Sequence, residues 1–226
     1  QLEFGQGLTM WSGLSFGKSS AATQVKKYGR GLVPNTSVNE NRFMRGAAVN
    51  LGFKKIGFTA FYSKNNIDAN LLVNANQFDN VSGLLETGNH RTINEILDKD
   101  VLNISMMGAN ININTKYMGV GITATQSRLS IPIKLSNEVY KKHYFQGDDL
   151  YNFGVDFSMN IKRLRLFGEV SATHNADMAF IIGLNAFLSD RFTLSVNYRD
   201  YSLGYFSFYN NPFGESSVSR NEKAIY

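Results

Sequence analysis

Apolar and polar positions alternate along much of this chain with a period of two. From Tyr151, the residues Tyr151, Phe153, Val155, Phe157, Met159 and Ile161 fall on one side, and Asn152, Gly154, Asp156, Ser158 and Asn160 on the other. A β-strand projects successive side chains to opposite faces, so this segment predicts a strand with one greasy face and one wet or small one. The pattern recurs. Phe43, Ala47, Val49, Leu51 and Phe53 line one face near 42–53, with Arg45 as an exception, and Ile56, Phe58, Ala60 and Tyr62 line the next strand. Met107, Ala109, Ile111 and Ile113 oppose Asn110 and Asn112, and Met118, Val120, Ile122 and Ala124 oppose Gly119, Gly121 and Thr123. Leu164, Leu166, Val170 and Ala172 oppose Arg165 and Glu169, and Met178 to Leu188 gives a further stripe. Phe192, Leu194, Val196 and Tyr198 oppose Thr193, Ser195, Asn197 and Arg199. With a first strand near 7–17 and another starting near 222–226, about ten strands are expected.

The connections add a second rhythm. Lys54-Lys55, Asn114 to Lys116, Lys162-Arg163 and Ser189 to Arg191 are short; 18–41, 64–102, 127–148 and 202–220 are long, while 174–177 is shorter but falls in a long slot. Short turns at one end and long loops at the other are the habit of outer-membrane barrels, and a soluble sandwich has no reason to segregate them. Pro34, Pro132 and Pro212 all fall in the long segments, as expected of a residue that cannot donate to a ladder. Tyr62, Tyr117, Tyr151 and Tyr198 near strand ends are candidates for interfacial girdles. One stretch breaks the pattern: Thr92-Ile93-Asn94-Glu95 reads as a capping box, and Ile93, Ile96, Leu97 and Val101 follow helical spacing, so a short helix is expected inside 64–102.

Composition narrows this picture. Cysteine is absent, so disulfides and thiolate metal sites are excluded, and no cofactor is indicated. Charged residues make up 18% and aromatics 13%, with 20 glycines, a balance that suits a β-rich protein and not a disordered one. The net charge of +5 is scattered, with no basic run to suggest a nucleic-acid patch. No apolar run is long enough for a membrane helix, which leaves a barrel open because alternation lowers mean hydropathy. The chain starts with Gln, so it reads as a mature or internal piece of a longer precursor.

Candidate chemistry is sparse. Arg45, Asp156, Arg165, Glu169 and Arg199 are expected on inward faces, where charges pair with one another or line a water channel. His90, Arg91 and Glu95 form a candidate loop site, with capping and a charge pair as the plainer explanation. No second histidine stands at zinc-ligand spacing, and no Ser-His or Asp-His constellation suggests catalysis, so the chain reads as a non-enzyme. Gly17-Lys18-Ser19 lacks the upstream glycine of a phosphate loop, since Ser12 stands there. Tyr205, Phe206, Phe208, Tyr209 and Phe213 crowd the segment 202–220, where they could bind a ligand, fold over the lumen or pack against neighbouring loops.

Several stretches taken in order also carry a family likeness. They are Phe4-Gly-Gln-Gly-Leu8, Trp11 to Lys18, Asn39 to Ala48, Gly88-Asn-His-Arg-Thr92, Phe167-Gly-Glu169, Asn211-Pro-Phe-Gly-Glu-Ser216 and Asn221-Glu-Lys223. Together they resemble the barrel region of Bacteroidota outer-membrane proteins that carry a helix-hairpin-helix domain of the DNA-uptake type. The resemblance implies that a small helical domain, which these residues do not contain, precedes the barrel. Any nucleic-acid contact would then run through that domain. It also implies a barrel that continues past both ends, and it carries no catalytic residues. The expectation is therefore an all-β, antiparallel up-and-down transmembrane β-barrel in the bacterial outer membrane, one domain over 1–226 and part of a larger barrel. Its partners would be outer-membrane lipid and small solutes or envelope proteins. Its role would be a channel, the membrane part of an uptake system, or a non-conducting anchor that holds a periplasmic domain or displays loops.

Overall fold

A computed structural model of the chain describes residues 1–13, 25–35, 43–74, 77–85, 88–135, 141–215 and 219–226, with backbone alone for 72–74 and 77–79. In chain order the elements are β1 (Leu2–Glu3), β2 (Gly31–Leu32), β3 (Gly46–Phe53), β4 (Ile56–Ile67), β5 (Ala69–Asn74), β6 (Gln77–Leu84) and α1 (Ile93–Leu97). They continue with β7 (Leu102–Asn114), β8 (Met118–Ile133), β9 (Gly147–Ile161), β10 (Leu164–Thr173), β11 (Met178–Phe187), β12 (Thr193–Tyr201) and β13 (Glu222–Ile225).

The main sheet is an antiparallel meander in the order β13-β12-β11-β10-β9-β8-β7-β4-β3. Two of its turns hold only two residues, and Lys54 (φ 53°) and Lys162 (φ 52°) take the left-handed conformation that such tight hairpins require at their first position. β3 and β13 are the two edges, and among the described residues they do not pair with each other. The sheet nevertheless curls. The segment after β12 reaches back to the start of β3, where the Tyr209 hydroxyl donates to the Phe43 carbonyl at 3.2 Å.

Three sequence expectations are corrected. Residues 7–13 of the expected first strand form turns and one isolated bridge, Glu3 to Trp11, and 14–17 lie outside the described residues. Gly5 (φ 55°) and Gly7 (φ 85°) explain why, since both take left-handed backbone that a strand does not tolerate. Pro132 lies inside β8, not in a loop, within the stretch 128–133 where pairing to β9 becomes irregular and no regular ladder hydrogen bond is lost. The segment 64–102 is not one loop. β4 and β7 pair as far as Ile67 and Leu102, the β5–β6 hairpin rises between them, and β6 touches β8 at Val81 and Ile133. The expected helix is present. Thr92 Oγ1 accepts from the Glu95 amide at 3.3 Å, and the Glu95 carboxylate accepts from Thr92 at 3.0 Å and Arg91 at 2.6 Å. Those backbone donors hold the Glu95 carboxyl below its ordinary range.

Burial is inverted relative to a soluble sheet over the turn-proximal half of the strands. The outward stripe is apolar and exposed, as at Phe53 (68%), Ile122 (57%) and Phe153 (55%). The inward stripe there is polar and buried: Thr59, Asn110, Thr123, Asn152, Asn185 and Asn197. Toward the long-loop end the phase reverses. On β7 the inward residues become Leu102, Ile104 and Met106 and the outward ones Asn103 and Ser105; on β8 they become Leu129 and Ile133 inside, Gln126 and Arg128 outside. These inward apolar residues pack with Phe61, Ile67 and Leu150, and with Leu2, Phe4 and Met10 of the N-terminal segment, into one hydrophobic core.

Candidate functional site

The inner surface is occupied by the chain's own N-terminal segment. Glu169, on the inward face of β10 and 3% exposed, holds it. One carboxylate oxygen accepts from the backbone amides of Gln6 (2.6 Å) and Leu8 (3.1 Å). The other accepts from the Thr9 amide (2.9 Å) and the Thr9 hydroxyl (2.8 Å). Backbone donors can converge on one carboxylate only where the chain bends sharply, and the two left-handed glycines supply that bend. A Cβ on Gly5 would also stand 2.7 Å from Glu169 Oε2, so the close approach itself excludes a side chain. Opposite, Gly154 of β9 leaves room for Thr9.

The segment after β12 clamps this N-terminal stretch, which plugs the inner surface, from the other side. The Tyr205 hydroxyl donates to the Leu8 carbonyl at 2.8 Å and shares a hydrogen bond with Ser171 Oγ at 2.8 Å. Burial pushes the Tyr205 hydroxyl well above its ordinary value, which keeps it a neutral donor. Ser207 Oγ donates to the Thr9 carbonyl at 3.0 Å, and the Asn211 amide to the Gly7 carbonyl at 2.8 Å. Lys27 donates to the Asn211 carbonyl, and its ammonium lies 4.6 Å from the Trp11 ring centroid. Burial pushes Lys27 down to about 8, against the opposing pull of Glu3 and Glu169. Three motifs far apart in sequence, Phe4 to Leu8, Phe167 to Glu169 and the run from Asn211, thus meet at one place.

The turn-proximal half of the inner surface is not filled. It encloses a cavity of about 590 Å³. Along its β7 wall the Asn114 amide donates to Asn112 at 2.9 Å, Asn112 to Asn110 at 3.0 Å, and Asn110 to Thr123 Oγ1 at 2.9 Å. The i, i+2 spacing of a strand places these three asparagines on one face, so each satisfies the next.

The expected site residues are distributed as follows. Glu169 and Arg199 are buried on the inward face, and Arg199 pairs with Glu222 across the β12–β13 ladder. Asp156, directly opposite Glu169 in the register, lines the cavity. Arg165 lies at the turn end of β10, exposed, and donates to the Tyr28 hydroxyl at 2.9 Å. Arg45 sits just before β3 with its guanidinium 5.4 Å from the Phe43 ring, and lines a separate cavity of about 460 Å³ with Lys64, Asp68 and His90. His90 does not join Arg91 and Glu95: its Nε2 lies 2.8 Å from Asp68, while Glu95 is spent on the helix cap. Sequence reasoning did not find Thr9, Lys26, Lys27 and Tyr28. The paired left-handed glycines of Phe4 to Leu8 were the available signal that this stretch was no strand.

Family models, curated proteins and solved structures offer no match to the chain.

Proposed function

We propose that this chain forms an outer-membrane β-barrel wall whose lumen is closed by its own N-terminal segment, a non-conducting barrel that anchors or displays and does not leak. The observation that carries the reading is the continuous belt of exposed apolar side chains on the outer face, from Val49, Leu51 and Phe53 on β3 to Leu194 and Val196 on β12. Soluble monomers rarely expose contiguous apolar area on this scale, whereas a lipid-facing wall needs it. The edges β3 and β13 would be satisfied by closure of the barrel, because no unpaired strand edge is tolerated in hydrocarbon. The short turns would face the periplasm and the β5–β6 hairpin, α1 and the loop-end core the exterior.

The plug favours the anchoring reading over an open channel. Glu169, Tyr205, Ser207 and Lys27 all hold it from different elements, and the apolar core seals the loop end. Purified in detergent, the protein should shift its gel migration on heating and give no stable current in planar bilayers. A detergent-free soluble monomer would overturn the membrane reading, and steady ohmic conductance would overturn the closed lumen.

A further inference from the structure

The cavity at the turn end contains a charge imbalance that the fold itself does not resolve. Lys26 lines it and is only 6% exposed. Its ammonium lies 4.7 Å from the centroid of the Tyr28 ring, and among the described residues no carboxylate lies within ion-pair distance of it. The Tyr28 hydroxyl, in turn, accepts from Arg165, whose guanidinium lies 4.8 Å from the Phe187 ring centroid. Two cations therefore converge on one tyrosine, one over its face and one at its hydroxyl. Burial, and then the nearby Arg165 charge, lower Lys26 from its ordinary value.

Two of the three neighbouring acids are committed elsewhere. Glu3 pairs with Arg30 at 2.7 Å, and Glu169 is saturated by four donors from the plug. The third, Asp156, leans over Gly121, lies with Glu169 against Gly5, and makes no ion pair with Lys26. A buried ammonium without a counter-ion is costly, and a bound anion removes that cost. Lining the same cavity as Lys26, Asn112 and Asn114 each use one amide hydrogen in the asparagine ladder and keep a second.

We propose that this cavity binds a small ligand carrying a phosphate or carboxylate group on a hydroxyl-rich body, with the anion on the Lys26 ammonium, Arg165 outside the lining adding its charge from behind Tyr28, and the hydroxyls on the Asn112 and Asn114 amides. The site depends on the fold alone; only its facing the periplasm rests on the barrel reading, so its binding test and the gel-shift test fail separately.

Calorimetric titration of the folded protein with glycerol 1-phosphate, galacturonate and neutral galactose tests it. Either anionic probe, or both, should bind at about 1 mM or tighter, and galactose at least roughly tenfold more weakly. The arm that binds names the anion. Lys26→Gln should weaken binding by about tenfold or more, as expected on loss of a charged hydrogen-bond donor, and Arg165→Gln, which removes only a charge behind Tyr28, by about threefold. Lys26→Arg should restore most of it, and Lys64→Gln, in the loop-end cavity, should leave it unchanged. Arg165 is exposed, so its variant reads the site even if Lys26→Gln perturbs the plug. No binding of either anion at tens of millimolar, equal binding of galactose, or wild-type affinity in folded Arg165→Gln would each overturn the proposal.

Discussion

The two ends of β7 follow opposite rules. From Leu102 to Met106 the strand hides leucine, isoleucine and methionine inside and shows asparagine and serine outside, as a soluble domain does. From Met107 to Ile113 it shows methionine and isoleucine and keeps asparagine inside, as a lipid-facing barrel does. β8 makes the same reversal past Ala124, and β4 past Tyr62, where Lys64 and Asn66 take over the outer face. The side-chain period of a strand is fixed at two, so the backbone cannot tell the two regimes apart. The solvent on each side sets which phase is stable, and on the membrane reading proposed above the reversal marks where lipid gives way to water.

The largest effects should come from violating each half by its own rule. Leu102→Ala removes a fully buried side chain from the loop-end core and should cost about 3 kcal/mol, whereas Asn112→Ala at the turn end should cost under about 1 kcal/mol, both measured by urea unfolding in lipid vesicles. A charge on the outer face should discriminate the halves in the other direction. Ile111→Lys should cost about 2–4 kcal/mol in lipid, and Ser105→Lys, past the reversal, about 1 kcal/mol or less. Equal costs at the two positions would break the comparison.

The plug supplies a test of comparable size at the junction of the halves. Glu169→Gln leaves donors of Gln6, Leu8 and Thr9 poorly matched and should cost about 2–3 kcal/mol, read as faster hydrogen exchange at those three amides. Exchange unchanged at those amides would mean that the plug is held by its apolar contacts alone.

The smallest expected effect is a pH slope. Burial lowers Lys27 to about 8 in the folded protein, against an ordinary value of 10.5. Below about 8 both states carry the proton and the burial penalty is fully present. Between about 8 and 10.5 the folded state has released it and the unfolded state has not, so stability rises with pH across that window. The rise should disappear in Lys27→Met. A slope that survives the substitution would assign it to another group.

Much of the sheet was legible from the sequence because alternation is a direct consequence of strand geometry, and the turns at Lys54 and Lys162 followed from the same count. The capping box at Thr92 was equally local. The plug was not legible, since its anchoring depends on a carboxylate more than 150 positions away, which no periodicity encodes. The stretch at 7–17 looked like a strand because Leu8, Met10 and other apolar residues alternate there, although its glycines argued otherwise. The loop-end strands were read as loops because the phase reversal at Met106 and Met107 interrupts the stripe, and a broken stripe looks like the end of a strand. For the candidate site, Asp156 and Arg165 were visible as charges on small or polar faces, whereas Lys26 and Tyr28 lay in a segment with no regular pattern.

The central claim, that the outer face changes solvent partway along each strand, has one direct measurement. The chain contains no cysteine, so single cysteines can be placed at Ile122, Val155 and Leu194 within the apolar belt and at Asn103 and Gln126 beyond it, each carrying a nitroxide. In reconstituted vesicles the first group should relax with oxygen and resist a water-soluble nickel complex, and the second should do the reverse. Equal access of the nickel complex to all five positions would contradict the account.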